Sequence, residues 1–329
     1  MRKFLTGNEA IARGIYEAEV DVVCAYPSVL KTELFKNIKN FKSDLSVEMS
    51  ISEEINIQNA IKISDTGKKT LTFLNKINPE ILNMGIKTEG GLVIILNDDS
   101  GMISTDEIND NREAAKLSNL IVMEPGSSRD TKNMLIKAFE ISKTYKMPVI
   151  FRVTTRVGCS SGIVVCEDPK SSKSQQIEMS IKDKIEICRT ISEANDFNKI
   201  EYNSEKVGFI CSGICTFYTK EVLADTVSYL DLKVINPIPE DKVIEFASGV
   251  DKLYVVEENN PYIENHLKEW GIDCIGKDLF DEEGELGAGQ IRKAIFGKHL
   301  NHVKSEEELV VSEEPFVDLE YILSLYNIW

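Results

Sequence analysis

The sequence contains no GxGxxG, no GxxxxGKS/T, no HExxH and no GxSxG pattern. These absences remove the simplest routes to a phosphate-cradling loop, a zinc peptidase centre or a serine nucleophile elbow. Histidine is almost missing. The three that exist, at 266, 299 and 302, all come late, so no Ser/His/Asp triad can be built in the first half. Long apolar runs are missing too. Leu92 to Leu96 is a representative stretch, far below the ~20 residues that span a bilayer, so the chain reads as soluble, cytoplasmic and without membrane contact. The opening segment, Met1 to Gly14, has a basic start but no apolar region before Asn8 and Glu9, and does not read as a signal peptide. Positive charge is scarce: 38 basic residues face 54 acidic ones, a net charge of −16, with no local Lys/Arg cluster. Such a surface repels phosphodiester backbones and argues against a nucleic-acid partner.

Seven cysteines, at 24, 159, 166, 188, 211, 215 and 274, are an odd number scattered over 329 residues. They read as reduced, mostly buried thiols rather than a disulfide framework. Cys211 and Cys215 have a non-standard spacing and no second Cys/His pair nearby, so no metal site is expected.

What is present is an alternation of β-branched runs and amphipathic helices. At ~150 residues per domain, 329 residues suggest about two domains. Strands are expected at Val20–Ala25, Lys69–Leu74, Leu92–Asn97, Asn119–Met123 and Pro148–Val153, with helices between them. The rhythm predicts an α/β fold built on doubly wound, mainly parallel sheets. Ligands of such sheets sit at the carboxyl ends of strands, here Tyr26–Glu33, Asp98–Thr105 and Glu124–Arg129. A polar, Ser/Lys-rich stretch then marks a linker or crossover at 167–204, separating a first domain (1–166) from a second (205–304). In the second, strands are expected at Val207–Cys211, Lys233–Ile235, Lys252–Glu257 and Asp273–Ile275, with helices at 216–228, 240–248 and 261–270. Residues 305–329 form an acidic tail with seven acids and no Lys or Arg. In it Phe316, Leu319, Leu323 and Tyr326 recur at helical spacing.

Longer strings carry a resemblance. Leu5-Thr-Gly-Asn-Glu-Ala-Ile-Ala-Arg-Gly14 and Ala25-Tyr-Pro27 with Thr32-Glu33 come first. Gly90-Gly-Leu-Val-Ile-Ile-Leu-Asn-Asp-Asp-Ser-Gly-Met102, Asp110-Asn-Arg112, Glu124-Pro125, Pro148 to Val157 and Ser161-Gly162 follow in order. The second domain adds Gly208 to Gly213, Val255-Val-Glu-Glu258, Ile275 to Phe280 and Glu283-Gly-Glu-Leu286. Over roughly residues 3–297 this order resembles the N-terminal two-domain portion of the alpha subunit of indolepyruvate:ferredoxin oxidoreductases, thiamine-diphosphate-dependent 2-oxoacid:ferredoxin oxidoreductases. The resemblance implies a pyrimidine-type thiamine-diphosphate-binding domain followed by a transketolase-C-terminal-like domain. It also implies a glutamate that hydrogen-bonds the aminopyrimidine ring. The family's Asn-Glu motif aligns with Ser52-Glu53, making Glu53 the implied catalytic carboxyl, with Glu54 as the one-residue alternative. Tyr26, Pro27, Thr32, Asp98, Asp99, Gly101 and Met102 are the implied cofactor-binding residues.

The chain departs from the family in three places. Its Tyr-Pro-Gly-Thr-Pro-Ser loop reads Tyr26-Pro27-Ser28-Val29-Leu30-Lys31 here. The segment with Lys-His and Gly-Leu-Asn is shortened to Leu74-Asn75-Lys76-Ile77-Asn78-Pro79, and Ile103 stands where the family has His. A Gly-Asp-Gly…Asn diphosphate/magnesium motif and Cys-rich iron–sulfur clusters are expected on a partner chain or domain, with thiamine diphosphate bound only in that complex. A homo- or hetero-oligomer burying loops 26–33, 75–88 and 98–112 is expected, with Val29, Leu30, Ile77 and Met102 as its apolar contacts. The competing reading is a catalytically degenerate homologue acting as a structural or regulatory binding module.

Overall fold

Thr6 and Glu9 start the fold with a reciprocal cap. The Thr6 amide donates to Glu9 Oε2 at 2.8 Å and the Glu9 amide donates to Thr6 Oγ1 at 3.1 Å, which ends strand β1 (Arg2–Thr6) and opens helix α1 (Gly7–Glu17). The computed structural model describes residues 1–29, 32–41, 45–101, 110–169, 176–194, 196–280 and 284–297. Leu30, Met102, Ile103 and the acidic tail therefore lie outside the described residues. After α1 come β2 (Val22–Ala25), α2 (Glu33–Phe41), β3 (Ser46–Met49), α3 (Glu53–Asp65), β4 (Thr70–Leu74), β5 (Leu92–Asp98), α4 (Arg112–Leu117) and β6 (Val122–Met123). Next are α5 (Ser128–Tyr145), β7 (Val149–Thr154), α6 (Thr155–Cys159), β8 (Ser161–Val165) and α7 (Ile181–Glu193). The remainder contains β9 (Lys199–Glu201), β10 (Val207–Ser212), α8 (Cys215–Leu223), β11 (Ser228–Leu232), β12 (Val234–Asn236), α9 (Glu240–Ser248), β13 (Lys252–Val256), α10 (Tyr262–Glu269) and α11 (Ala288–Phe296).

Two compact units emerge. The first comprises residues 1–194 with Lys233–Pro239; the second comprises 196–232 and the described chain from Glu240 onward. The first is built on a seven-stranded sheet of order β12-β6-β7-β5-β4-β2-β3, parallel throughout except for β12. β2, β4 and β7 are buried along their whole length, and apolar side chains dominate them at Val22–Ala25, at Leu71, Phe73 and Leu74, and at Val149–Phe151. α1 packs on α2 and α5, and α3 packs on β2 and β4. A buried ion pair, Lys132 Nζ to Glu17 Oε2 at 2.9 Å, ties α5 to α1.

The observed fold differs from the expected one in detail. The strand expected at Lys233–Ile235 in the second series is β12, which lies in the first unit, antiparallel to β6. Its seat is polar: the Glu124 amide donates to Lys233 O at 2.7 Å and Asn236 Nδ2 donates to Leu120 O at 2.6 Å. β1 and β8 form an unforeseen two-stranded antiparallel ribbon. The stretch 167–204 carries α7 and β9, with 170–175 and 195 outside the described residues. In the second unit the sheet order is β13-β10-β11-β9, with β9 antiparallel. There Phe209 stacks on Tyr254 at 5.0 Å, and the strand expected at Asp273–Ile275 shrinks to one bridge between Tyr254 and Ile275. None of the seven cysteines is in a disulfide, and burial first of all pushes the Cys24, Cys188 and Cys211 thiols up to about 12. Among the described residues no helix is long and apolar enough to cross a membrane.

Gly7 explains why α1 can begin so close to α6. A Cβ there would lie 2.2 Å from Val157 O and 2.9 Å from the Gly158 Cα, both backbone atoms. Gly7→Ala is expected to cost about 1–3 kcal/mol, read as a lower urea midpoint at unchanged slope. An unaltered midpoint would show that α6 retreats without cost.

Candidate functional site

Six parallel strands of the first unit (β3, β2, β4, β5, β7 and β6) deliver their carboxyl ends to one edge of the sheet. Glu53 arrives at this edge as the first residue of α3, behind the cap residue Ser52, where a helix N-terminus favours a carboxylate. Its Oε1 accepts from the main-chain amides of Asn75 (2.8 Å) and Lys76 (3.0 Å), just past β4. Its Oε2 accepts from the Tyr26 hydroxyl (2.7 Å), just past β2, and from Asn75 Nδ2 (3.2 Å). Asn75 Nδ2 also donates to Tyr26 Oη at 2.9 Å. Four donors thus meet a group with about four lone-pair positions. Beside them an open cavity of about 220 Å³ is lined by Glu53, Glu54, Ile57, Leu74, Lys76 and Leu82, among others. A second hollow, about 160 Å³, is lined by Glu17, Lys69 and Lys143 and carries none of these groups.

Deeper in the same edge lies a buried charge cluster. Arg152, in the interior strand β7, is 2 % exposed. Its Nε donates to Asp98 Oδ2 and its Nη1 to Glu124 Oε2, each at 2.6 Å, while Nη2 approaches Asp110 Oδ1 at 3.7 Å. Asp110 is gripped by Arg112 through Nε (2.9 Å) and Nη2 (2.7 Å). Burial pushes the Asp110 carboxyl up, but Arg112 overcomes it and holds the group at about 2. Burial also raises the Asp98 carboxyl, and there it prevails over the opposing pull of Arg152 and Asn111. Asn111 joins the two parts. Its Nδ2 donates to Asp98 Oδ1 (2.7 Å) and to Asn75 O (2.8 Å), and its Oδ1 accepts from the Ile77 amide (3.1 Å).

Of the residues singled out from sequence, Glu53 and Tyr26 come into direct contact, and Asp98 reaches them through Asn111 and the 75–77 turn. Asp99 is buried beside Asp98, Gly101 is half-buried and Pro27 is exposed. Thr32 caps α2, donating to Val29 O at 2.6 Å and accepting from the Phe35 amide at 3.3 Å. Glu54 points to the same cavity from the next position but makes none of the Glu53 bonds given above. Val29 and Ile77, expected as exposed contacts, are buried at 4 % and 8 % exposure. Arg152, Glu124, Asn75 and Asn111 were not among the singled-out site residues. The available signal was an arginine inside a strand otherwise apolar on both faces, because such a charge requires acidic partners.

No family model matches the chain. Several curated proteins are similar to it, all described as indolepyruvate oxidoreductase subunit IorA. The Thermococcus kodakarensis protein is 31% identical, with 89% of this chain and 52% of the relative covered. Those of Archaeoglobus fulgidus (28% identical, 82% and 49% covered) and Methanothermobacter marburgensis (26% identical, 95% and 57% covered) are comparable. The chain spans about half the length of the curated relatives it matches. Among solved structures, 2-oxoglutarate:ferredoxin oxidoreductase from Magnetococcus marinus has a TM-score of 0.62 at 15% identity, covering 84% of this chain and 61% of that one. A split-gene transketolase described as an inactive beta4 tetramer has a TM-score of 0.56 at 16% identity, covering 88% of this chain and 96% of that one. These structures share the fold.

Two outcomes follow from the geometry. Arg152→Met leaves Asp98 and Glu124 buried without their cation and is expected to cost about 3–5 kcal/mol in chemical denaturation. Burial first, and then the bond to Glu53, raise the Tyr26 phenol above its ordinary value. With the folded value above the unfolded one, its contribution to stability is complete below about pH 10 and is lost only as pH rises through the folded value. The difference between wild-type and Tyr26→Phe absorbance at 295 nm should therefore show no phenolate until above about pH 11 while the protein stays folded.

Proposed function

Starting from its similarity to indolepyruvate oxidoreductase IorA subunits, we propose that this chain is a component of a 2-oxoacid oxidoreductase. In this reading it contributes the pyrimidine side of a thiamine-diphosphate site that a second chain or domain completes. The supporting observation is Glu53, a carboxylate held at a strand-end cavity by a tyrosine hydroxyl and two main-chain amides. The charge of the cavity agrees with a ring rather than a diphosphate: Glu53 and Glu54 face it with Lys76 as the basic group among its lining residues.

The donor set decides whether Glu53 fits the cofactor's aminopyrimidine. Oε1 is committed to main-chain amides that cannot turn away singly. Oε2 carries the short Tyr26 bond and the longer 3.2 Å bond from Asn75, whose side chain is exposed. A ring nitrogen is therefore received by exchange with the Asn75 amide, and on that condition the residues fit. The cofactor, when bound, supplies the electron sink for decarboxylating a 2-oxoacid. This chain's part is to hold the Glu53 carboxyl at a fixed height, to exchange a proton or hydrogen bond there with the ring, and to wall the cavity with Ile57, Leu74 and Leu82.

The filled acceptor positions of Glu53 favour a second reading, a binding module without chemistry of its own. Co-expression with a chain carrying a Gly-Asp-Gly…Asn motif separates the two. The expected outcome is co-purification, Mg²⁺-dependent thiamine-diphosphate binding by calorimetry in the complex, and 2-oxoacid-dependent reduction of a viologen dye. Glu53→Gln should lower that turnover by about 10²-fold or more with assembly intact. A complex whose turnover ignores Glu53→Gln, or that binds no cofactor, leaves the module reading standing.

A further inference from the structure

The turn after β4 is held from two sides at once. Three successive amides leave it: Asn75 and Lys76 donate to Glu53 Oε1, at 2.8 and 3.0 Å, and Ile77 donates to Asn111 Oδ1 at 3.1 Å. The Asn75 carbonyl accepts from Asn111 Nδ2 at 2.8 Å. Asn111 therefore closes both ends of the turn with one planar amide, while Glu53 touches only its start. Asn111 is itself immobilised. It is 6 % exposed, its main-chain amide donates to Asp98 Oδ2 at 3.1 Å, its side chain donates to Asp98 Oδ1 at 2.7 Å, and Asp98 is clamped by Arg152. Glu53, by contrast, is half-exposed and lines an open cavity. Of the two anchors, the rigid one is Asn111.

We propose that Asn111 is the positioning residue of Glu53: it fixes the 75–77 turn, whose amides in turn aim the Glu53 carboxylate at the cavity. The inference deepens the reading of Glu53 as the working carboxyl and rests on it for its functional meaning. Order runs in one direction, from the charge cluster through Asn111 to the turn and then to Glu53. Removing the Asn111 side chain releases the carboxylate without touching it; removing the charge of Glu53 leaves the turn in place.

The test uses the full chain and needs neither cofactor nor partner, so its failure is distinct from failure of the oxidoreductase reading. Amide hydrogen exchange at residues 75, 76 and 77 and the ¹³C resonance of the Glu53 carboxyl are recorded for wild type, Asn111→Ala and Glu53→Gln. In Asn111→Ala all three amides should exchange at least about tenfold faster, and the Glu53 carboxyl resonance should move, while β4 and β5 amides keep their protection. In Glu53→Gln, Asn75 and Lys76 should speed up and Ile77 should keep its wild-type rate. If Asn111→Ala unfolds the sheet, the Glu53→Gln arm alone decides. Loss of Ile77 protection there overturns the proposal, because the turn would then hang from Glu53. Unchanged exchange at 75 and 76, or an unmoved carboxyl resonance, in a folded Asn111→Ala chain overturns it equally.

Discussion

Arg152 places a permanent positive charge in an interior strand of a sheet covered on both faces, and a guanidinium cannot be left there without anions. Asp98, at the end of the neighbouring strand β5, and Glu124, just beyond the neighbouring strand β6, meet it at 2.6 Å each. One cation thereby ties the ends of β5 and β6 to the strand between them. Asp110 and its own arginine, Arg112, close the cluster from the segment that leads into α4. Breaking the cluster leaves charges uncompensated, while the intact cluster orders these strand ends.

That order reaches the surface through amides rather than charges. Asn111 translates the position of Asp98 into the position of the 75–77 turn, and the turn presents its amides to Glu53. Tyr26 reaches the same carboxylate from β2, so strands β2, β4 and β5 all contribute to its placement. The result is a single carboxylate held at the rim of an open cavity by groups that are themselves held. Fixed donors of this kind keep the carboxylate in one position at the cavity, which is electrostatic preorganisation.

The second unit directs its buried acids differently. Glu257 accepts from the Ile263 and Glu264 amides, at 3.0 Å each, and so secures the start of α10. Asp231 accepts from Thr216 Oγ1 at 2.8 Å, joining β11 to α8. In the bonds described, these carboxylates satisfy helix ends and loops of their own unit, which is ordinary scaffold work.

Placement of the central strands of the first unit was written in the sequence, because burial on both faces demands the apolar runs seen at Leu92–Leu96 and Val149–Phe151 and the apolar-rich Leu71–Leu74, whereas β1, β3 and β8 were not foreseen. The strand-end location of Tyr26, Asp98 and Glu124 followed from that pattern, and Glu53 followed from family resemblance. Where the pattern is short or polar it failed: β12, three residues long, left its neighbours in sequence to join the first sheet through hydrogen bonds at Lys233 and Asn236. Val29 and Ile77 looked like exposed contacts but are buried, because a turn's sequence does not say which way its side chains face. The pairing of Arg152 with Asp98 and Glu124, and the double anchorage of the 75–77 turn by Asn111, were decided by tertiary structure alone. They join residues 28, 34, 36 and 54 positions apart, and hydrogen bonds over such separations exist only once the sheet has brought the strand ends together.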